Sequence, residues 1–576
     1  MSISSRTSFS LFAALFAALF AALLAAGILA AQVAPAPAAT IEVQLLAIND
    51  FHGALEPPAG GGGRIGSADA GGVEYLATHL ARLEATNPNT VVVSAGDNVG
   101  GTPLLSSLFH DEASVEALNL AGLDISTVGN HELDEGWWEL YRMKHGGCHP
   151  TDGCQDGTPY GGAAFTFLSA NISLDPGKAD PAMLTRAGVT GTEPRPLFAP
   201  YLMREFGGAR VGFIGLTLEG AASIITPTST RGLTVTSPLE AANATARLLR
   251  ERGAGAVVLL FHEGGSAKGP DPNGCEGLTE DIVGLVNRMS EDIDVVVSGH
   301  SHNAYNCTVG TKLLTSASSN GRVITDIDLR FAPASGHLVS KRARNVIVTR
   351  DVEKHAAVTA LLAHYAPFAE KVGNRVVGTI AASVSRQANA AGEMPIGAII
   401  ADGMLEAAAS TPGAAAEIAF MNPGGVRADI PAAPGGGPSP VTYAQLFTVH
   451  PFGNVVMVKT LTGEAIAQVL EQQFGADGRV RILQVSRGFS YTYDPSRPPG
   501  QRVDRGSIQI NGKPLVASQR YRVATIDFLW TGGDTFGALA SGTDPVTVGP
   551  DIDALAAYFE KHSPVSPVPL NRVRRR

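Results

Sequence analysis

An α/β protein of two domains is what the sequence predicts, and three observations predict it. Five short β-branched apolar runs each end in Asp, Asn or His. They are residues 45–48 before Asn49-Asp50-Phe51-His52, residues 91–93 before Ser94-Ala95-Gly96-Asp97, and residues 125–128 before Gly129-Asn130-His131-Glu132. The other two are residues 257–261 before His262-Glu263, and residues 295–297 before Ser298-Gly299-His300-Ser301-His302. Runs of about four apolar residues without alternation are strands covered on both faces. These runs alternate with helix-like stretches at residues 73–84, 112–121, 238–252 and 280–288, the order of a layered α/β domain. Finally, 576 residues exceed one typical core, while 44% hydrophobic against 17% charged residues describes a packed chain.

In chain order, Arg6 precedes an apolar Ala/Leu/Phe run over residues 11–31, and Ala-Pro repeats follow at residues 34–39. A basic start, an apolar core and small residues at its border describe a secretory signal. Residues 1–39 are therefore expected to be a signal and spacer, cleaved near Ala31 or Ala39, with an uncleaved anchor as the alternative. The mature chain is expected in the periplasm or outside the cell, with no later membrane span. A first domain is expected over residues 40–348, closed by β-type alternation at residues 313–331. Residues 351–372 have few breakers and read as an amphipathic connecting helix, giving a linker over residues 349–374. The second domain, residues 375–576, carries a helix near residues 396–409 and β-type runs around Val441, Val455, Ile482 and Tyr521. The glycine-rich stretches 60–63 and 431–440 read as exposed loops; the first lacks the Gly-Lys-Ser/Thr of a phosphate-binding loop.

The net charge of −10, with no Lys/Arg stripe, argues against a nucleic-acid polymer as partner. A small phosphorylated anion needs no basic protein where bound metal supplies the positive charge. The four cysteines of an exported chain favour disulfides: Cys148 with Cys154, closing a short loop, and Cys275 with Cys307. A four-cysteine zinc site is excluded because no Cys-x-x-Cys occurs.

Asp, Asn, Gly and His end strands simply because they suit turns. That explains any one of the five segments but not all five. Ligand-type residues past several strand ends meet at one edge of a layered sheet, which is the pattern of a metal-centred hydrolase. Asp50 and His52, two apart on an extended segment, share a face. Asp97 has two oxygens and can bridge two ions, and Asn130, His262, His300 and His302 add mixed N/O ligands. The segment after Asn130 also reads as a plain helix start with Asn130 as its N-cap.

The ordered set Asn-Asp-Phe-His, Gly-Asp, Gly-Asn-His-Glu, His-Glu and Gly-His-Ser-His resembles the calcineurin-like metallophosphoesterases, and the downstream half resembles the exported 5′-nucleotidase family. The resemblance implies a four-layered α/β/β/α first domain and a second α+β substrate-binding domain. It implies two divalent ions of the Zn, Mn or Co type, one held by Asp50, His52, Asp97 and His302, the other by Asp97, Asn130, His262 and His300. His131 would stabilise the phosphoryl charge and protonate the leaving oxygen, with Asp134 orienting its ring. Glu132 and Glu263 would support the ligands.

The second half adds Arg386, the run Asn422-Pro423-Gly424-Gly425-Val426-Arg427, Phe452, Phe528 and Asp534. Arg presents a planar fork for anions and glycine pairs admit close approach. By resemblance Phe452 and Phe528 clamp the base, Asp534 takes the ribose, Asn422 the base edge, and Arg386 and Arg427 anionic groups, with Gly424 and Gly425 beside them. The expected activity is hydrolysis of nucleotide phosphate esters by in-line attack of a metal-activated hydroxide. The alternatives are 2′,3′-cyclic nucleotide or UDP-sugar hydrolysis, another ester on the same scaffold, or a non-catalytic binding protein; the last predicts lost ligands.

Overall fold

The computed structural model describes residues 40–576 except 59, 226–227, 435–436 and 476–477. The signal read from residues 1–39, and part of the loop read at residues 431–440, lie outside the described residues.

Two six-stranded sheets make up the first half. One runs β12-β11-β1-β2-β3-β4, where β1 is Ile41–Ile48, β2 Thr90–Ser94, β3 Ile125–Thr127, β4 Thr166–Leu168, β11 Val323–Phe331 and β12 Leu338–Ile347. The other runs β9-β10-β8-β7-β6-β5, with β5 Tyr201–Phe206, β6 Ala209–Thr217, β7 Ala256–His262, β8 Val295–Ser298, β9 Ala304–Val309 and β10 Lys312–Ala317. Strands β1 to β4 are parallel to one another, as are β6, β7, β8 and β10.

Alternate side chains of one strand enter different cores, which explains the unbroken apolar runs. From β1 and β2, Leu45, Ala47, Val91 and Val93 meet Phe213, Val258, Leu260, Val295 and Val297 of the facing sheet. Leu46, Ile48 and Val92 point the other way, into a core shared with Leu76 and Leu80 of the helix Val73–Glu84 and with Val115 and Leu118 of the helix Glu112–Leu120. On the far side, Val257, Leu259 and Phe261 pack under Leu249 of the helix Pro238–Glu251 and Ile282 and Val286 of the helix Glu280–Arg288. The first half is thus the four-layered α/β/β/α stack.

The connecting helix is Ala356–Gly373, shorter at its start than the amphipathic pattern suggested. Residues 351–355 are not helical, and residues 354 and 355 are held against the helix Val73–Glu84: the His355 N–H donates to the Glu74 carbonyl at 3.0 Å and Lys354 pairs with the Glu74 carboxylate at 2.6 Å. Tertiary partners override the local helical preference there. Val358 and Tyr365 of this helix are buried in the first-half core, and the Tyr365 hydroxyl donates to Glu116 at 3.0 Å.

Beyond it, a five-stranded sheet runs Gln484–Val485, Ile418–Met421, Arg520–Ile526, Val455–Thr462, Thr543–Pro550, backed by the helices Pro395–Ser410 and Asp551–His562. The run read around Ile482 is in fact a short pair at Gln484–Val485. Residues 60–63 form one 3-10 turn rather than an open loop. Both expected disulfides are present, Cys148–Cys154 and Cys275–Cys307, with Cα separations of 4.7 and 5.4 Å. Among the described residues no helix is long and apolar enough to cross a membrane.

Candidate metal centre and substrate cavity

All five ligand-bearing segments leave the carboxyl ends of parallel strands at the same edge of the two sheets. There the backbone turns sharply. Asp50, His52, Asp97, His300 and His302 have φ of 50°, 47°, 52°, 65° and 55°, a left-handed conformation that costs non-glycine residues on the order of 1–3 kcal/mol each. Neighbouring loops hold it in place: Asp50 N–H donates to Gly96 O and His52 N–H to Asp97 O, both at 3.0 Å, and Asn320 N–H to Asp50 O at 2.7 Å.

The seven predicted ligands converge. Possible ligand atoms of Asp50, His52, Asp97 and His302 lie within 4.8 Å of one another, as do those of Asp97, His262 and His300. Asn130 closes the second group, its Oδ1 standing 3.0 Å from both His262 Nε2 and His300 Nδ1. Asp97 belongs to both, with Oδ2 at 3.6 Å from His52 Nε2 and 3.1 Å from His262 Nε2.

Which ring nitrogens carry protons follows from their partners, because a carbonyl oxygen only accepts. His52 Nδ1 donates to Gly100 O and His262 Nδ1 donates to Ala95 O, both at 2.8 Å. In the neutral rings each Nε2 therefore turns a lone pair inward. That of His52 faces His302 Nε2 at 3.0 Å, and that of His262 faces two oxygens at about 3 Å. At His262 the lone pair of a neutral ring faces two oxygen acceptors, which repel it unless a positive charge sits between them. The same demand appears in the titration: burial would lower His262, but Asp97 and Asp50 raise it to about 10. Burial holds His52, His300 and His302 well below the usual imidazole range, so they are neutral donors. Burial pushes Asp50 up to about 6, and a cation would reverse that. The residues fit two divalent ions sharing Asp97.

Around these side chains lies a layer that holds them. Glu132 is buried and accepts four hydrogen bonds, from the N–H groups of Asp97, Asn98 and Gly129 and the Asn98 amide, at 2.7–3.0 Å. Asn49 donates to Asp50 Oδ2 and to Ser318 O, both at 2.6 Å. Gly100 joins three parts: it accepts from His52, its N–H donates to Asp111 at 2.9 Å, and at φ 79° a Cβ there would meet His131 O at 2.4 Å. Asn130 stands at the N-cap position of a single 3-10 turn, His131–Leu133, but its side chain makes no cap hydrogen bond, which frees its amide for the centre. Replacing Glu132 with Gln puts an amide N–H against backbone donors. We expect metal affinity to fall about 10–100-fold, read as activity against free metal concentration; identical curves for the two proteins would remove this role.

His131 stands beside the ligand groups. Its Nδ1 is 2.7 Å from Asp134 Oδ2 and its backbone N–H donates to Asp97 Oδ1 at 2.9 Å. Burial would lower its pKa, but Asp134 and Asp97 raise it above the usual value, favouring the imidazolium.

A cavity of about 570 Å³ opens from this edge towards the second half. It is lined by Asn130, His131, Asp134 and His300 on one side and by Asn422, Gly424, Gly425, Arg427, Phe452, Phe528 and Asp534 on the other. The Phe452 ring lies nearly parallel to His131 at 5.6 Å, with the Arg427 guanidinium 5.6 Å from its centroid. The Phe528 ring lies on Gly533, where a Cβ would come within 2.5 Å. Asn422 donates to Asp534 at 2.6 Å. Arg427 reaches His52 Nε2 at 3.4 Å. Arg386 is not among the described lining residues. Its guanidinium donates to the Arg427 carbonyl and its backbone N–H to Asp429.

Sequence reasoning missed several groups. Arg479 lines the cavity, 3.2 Å from His300 Nε2 and 3.0 Å from Glu263 Oε1. Glu263, read as a ligand support, thus acts through an arginine from the other half. His450, fully buried, links Gly425 O at 2.9 Å to Asp551 at 2.7 Å, and so anchors the turn carrying Phe452. The signals were only a Gly-Arg and a His-Pro-Phe in turn regions.

Two family models match the chain: Calcineurin-like phosphoesterase over residues 43–304 and 5′-nucleotidase, C-terminal domain, over residues 376–541. The chain is 29% identical over 536 residues to Endonuclease YhcR of Bacillus subtilis, covering 91% of this chain but only 40% of that protein's length. It is 29% identical over 557 residues to Cell wall protein Lmo0130 of Listeria monocytogenes, covering 92% and 68%. Among solved structures it resembles the 5′-nucleotidase precursor from Thermus thermophilus, at 26% identity and a TM-score of 0.74 over 93% of this chain and 99% of that one.

Proposed function

Because the chain belongs to the calcineurin-like phosphoesterases that carry a 5′-nucleotidase C-terminal domain, we propose that it releases phosphate from nucleoside 5′-phosphates. The observation that carries this reading is the shared wall of one cavity: Asn130, His131 and His300 line it together with Phe452, Phe528, Asn422 and Asp534. Its volume suits a nucleotide-sized ligand. The division of labour is proposed as residues 40–348 for chemistry and 375–576 for recognition, joined through 349–374.

The two divalent ions, when bound, polarise the phosphoryl oxygens and lower the pKa of the attacking water. Asp50, His52, Asp97 and His302 would hold one, and Asp97, Asn130, His262 and His300 the other. His131, charged through Asp134, faces the cavity, where it stabilises developing phosphoryl charge and delivers a proton to the leaving oxygen. Arg427 and Arg479 enter from the second half, near His52 and His300, and bring positive charge to both ends of the centre. Phe452 and Phe528 stack on the base and the Asn422–Asp534 pair takes the base edge and ribose.

A phosphate-release screen over nucleoside mono-, di- and triphosphates, 2′,3′-cyclic nucleotides, UDP-sugars and a small aryl phosphate, with Zn, Mn or Co added, tests the reading. Turnover of the aryl phosphate alone would sink the nucleotide assignment. Phe452→Ala or Phe528→Ala is expected to cost about 1–3 kcal/mol in nucleotide kcat/KM through lost stacking and far less on the aryl phosphate. An equal loss on both substrates would remove the base clamp.

We further propose export. The signal-like residues 1–39 and the two disulfides support it, since disulfides persist in oxidising compartments. N-terminal sequencing of the mature protein should begin after Ala31 or Ala39; an intact Met1 on a cytoplasmic protein would contradict it.

A further inference from the structure

Away from the catalytic centre, His110, Glu135, His149 and Asp152 gather where the loop closed by Cys148–Cys154 meets the segment that follows Asp134. His110 stands between two carboxylates, with Nδ1 2.8 Å from Glu135 Oε2 and Nε2 2.8 Å from Asp152 Oδ2. His149 lies against it, ring on ring at 3.7 Å, with Nδ1 accepting from the Asp152 N–H at 3.2 Å and standing 3.4 Å from the same Asp152 oxygen. Possible ligand atoms of His110, Glu135 and His149 lie within 4.8 Å of one another. We propose that this cluster is a third divalent-cation site, of the zinc type, distinct from the catalytic pair.

Three features argue for a cation rather than a plain ion-paired histidine. First, the charges balance. With a proton on His110 the two carboxylates leave the cluster at −1, whereas a divalent ion with both imidazoles neutral leaves it at zero. Second, His110 has a carboxylate at each nitrogen. Whichever nitrogen takes the ion, the other keeps a carboxylate for its N–H, the carboxylate–histidine–metal arrangement of established zinc sites. Third, the donors left for the ion are two imidazoles and one carboxylate, a set suited to zinc and not to magnesium or calcium. Burial would lower His110, but Glu135 and Asp152 raise it to about 9, so positive charge is favoured at this spot.

The ion enters from solvent, because Glu135 and Asp152 are 44% exposed while His149 is 8% exposed. Binding displaces the His110 proton to solvent, and the His149 ring opens from its stack to aim a nitrogen at the ion. The bound ion ties the Cys148–Cys154 loop to Glu135, next in sequence to the catalytic Asp134, and so braces the turn that orients His131.

Metal content of the full chain, dialysed against micromolar free Zn²⁺ and measured by plasma mass spectrometry, tests this independently of activity. Wild type is expected to hold one zinc equivalent more than His149→Phe, which keeps the ring stack but lacks a nitrogen, and one more than Glu135→Gln. Zinc is also expected to raise the melting temperature of wild type more than that of either variant. Equal zinc content in wild type and both variants would overturn the site and leave a hydrogen-bonded histidine cluster. An unchanged far-ultraviolet circular dichroism spectrum shows that the variants fold.

Discussion

Asp97→Asn is expected to lower turnover by at least about 10³-fold and to empty both cation positions together. The scale follows from a metal clamp that contributes several kcal/mol to the transition state, at about 1.4 kcal/mol per tenfold in rate. One Asp97 oxygen faces both His52 and His262, and the other takes the His131 N–H. An amide at this position either turns an N–H towards the two inward lone pairs or gives up the bond to His131. The decisive measurements are metal content and kcat on the same preparation. Near two equivalents with full activity would end the bridging assignment.

What the sequence disclosed and what it hid divide along a physical line. Strand ends were legible because a parallel strand covered on both faces is a short apolar run, and the residue that leaves it at the sheet edge is then fixed in space. Hence Asp50, His52, Asp97, Asn130, His262, His300 and His302 are found together, although they are spread along the chain from residue 50 to residue 302. Both disulfides were legible for a simpler reason, since four cysteines allow few pairings and one pair closes a short loop. Groups that act through backbone contacts were not. Glu132 was read as a support of the ligands, but nothing in composition or spacing marks it as the acceptor of N–H groups from two loops, or Gly100 as the point where the loops bearing His52 and His131 touch. Residues joined across the two halves were hidden for the same reason. Arg479 meets His300 and Glu263 only because the second half folds over the sheet edge. Arg386 differs from the other residues read for the substrate in that it is bonded to the Arg427 carbonyl and to Asp429 and is not among the residues lining the cavity. The connecting helix was legible in its body but not at its start, where Glu74 holds residues 354 and 355 out of the helix.

His131→Ala is expected to lower kcat on a nucleoside monophosphate by about 10²–10⁴-fold, the usual range for loss of a positioned proton donor, while leaving metal content unchanged. The separation is possible because the residue meets the centre through its backbone. The N–H that donates to Asp97 survives truncation, whereas the ring, paired with Asp134 and facing the cavity, is lost. The proton's destination supplies a second test. A ribose oxygen is a poor leaving group and needs protonation, whereas p-nitrophenolate leaves without it. The variant should therefore lose markedly less on p-nitrophenyl phosphate than on the nucleotide. Asp134→Asn should show the same pattern at smaller amplitude, since it removes the charge that holds His131 protonated but keeps a hydrogen-bonding partner for Nδ1. Loss of metal in proportion to activity would make His131 a support of the cation site. Equal losses on both substrates would confine it to stabilising phosphoryl charge and take the proton transfer away from it.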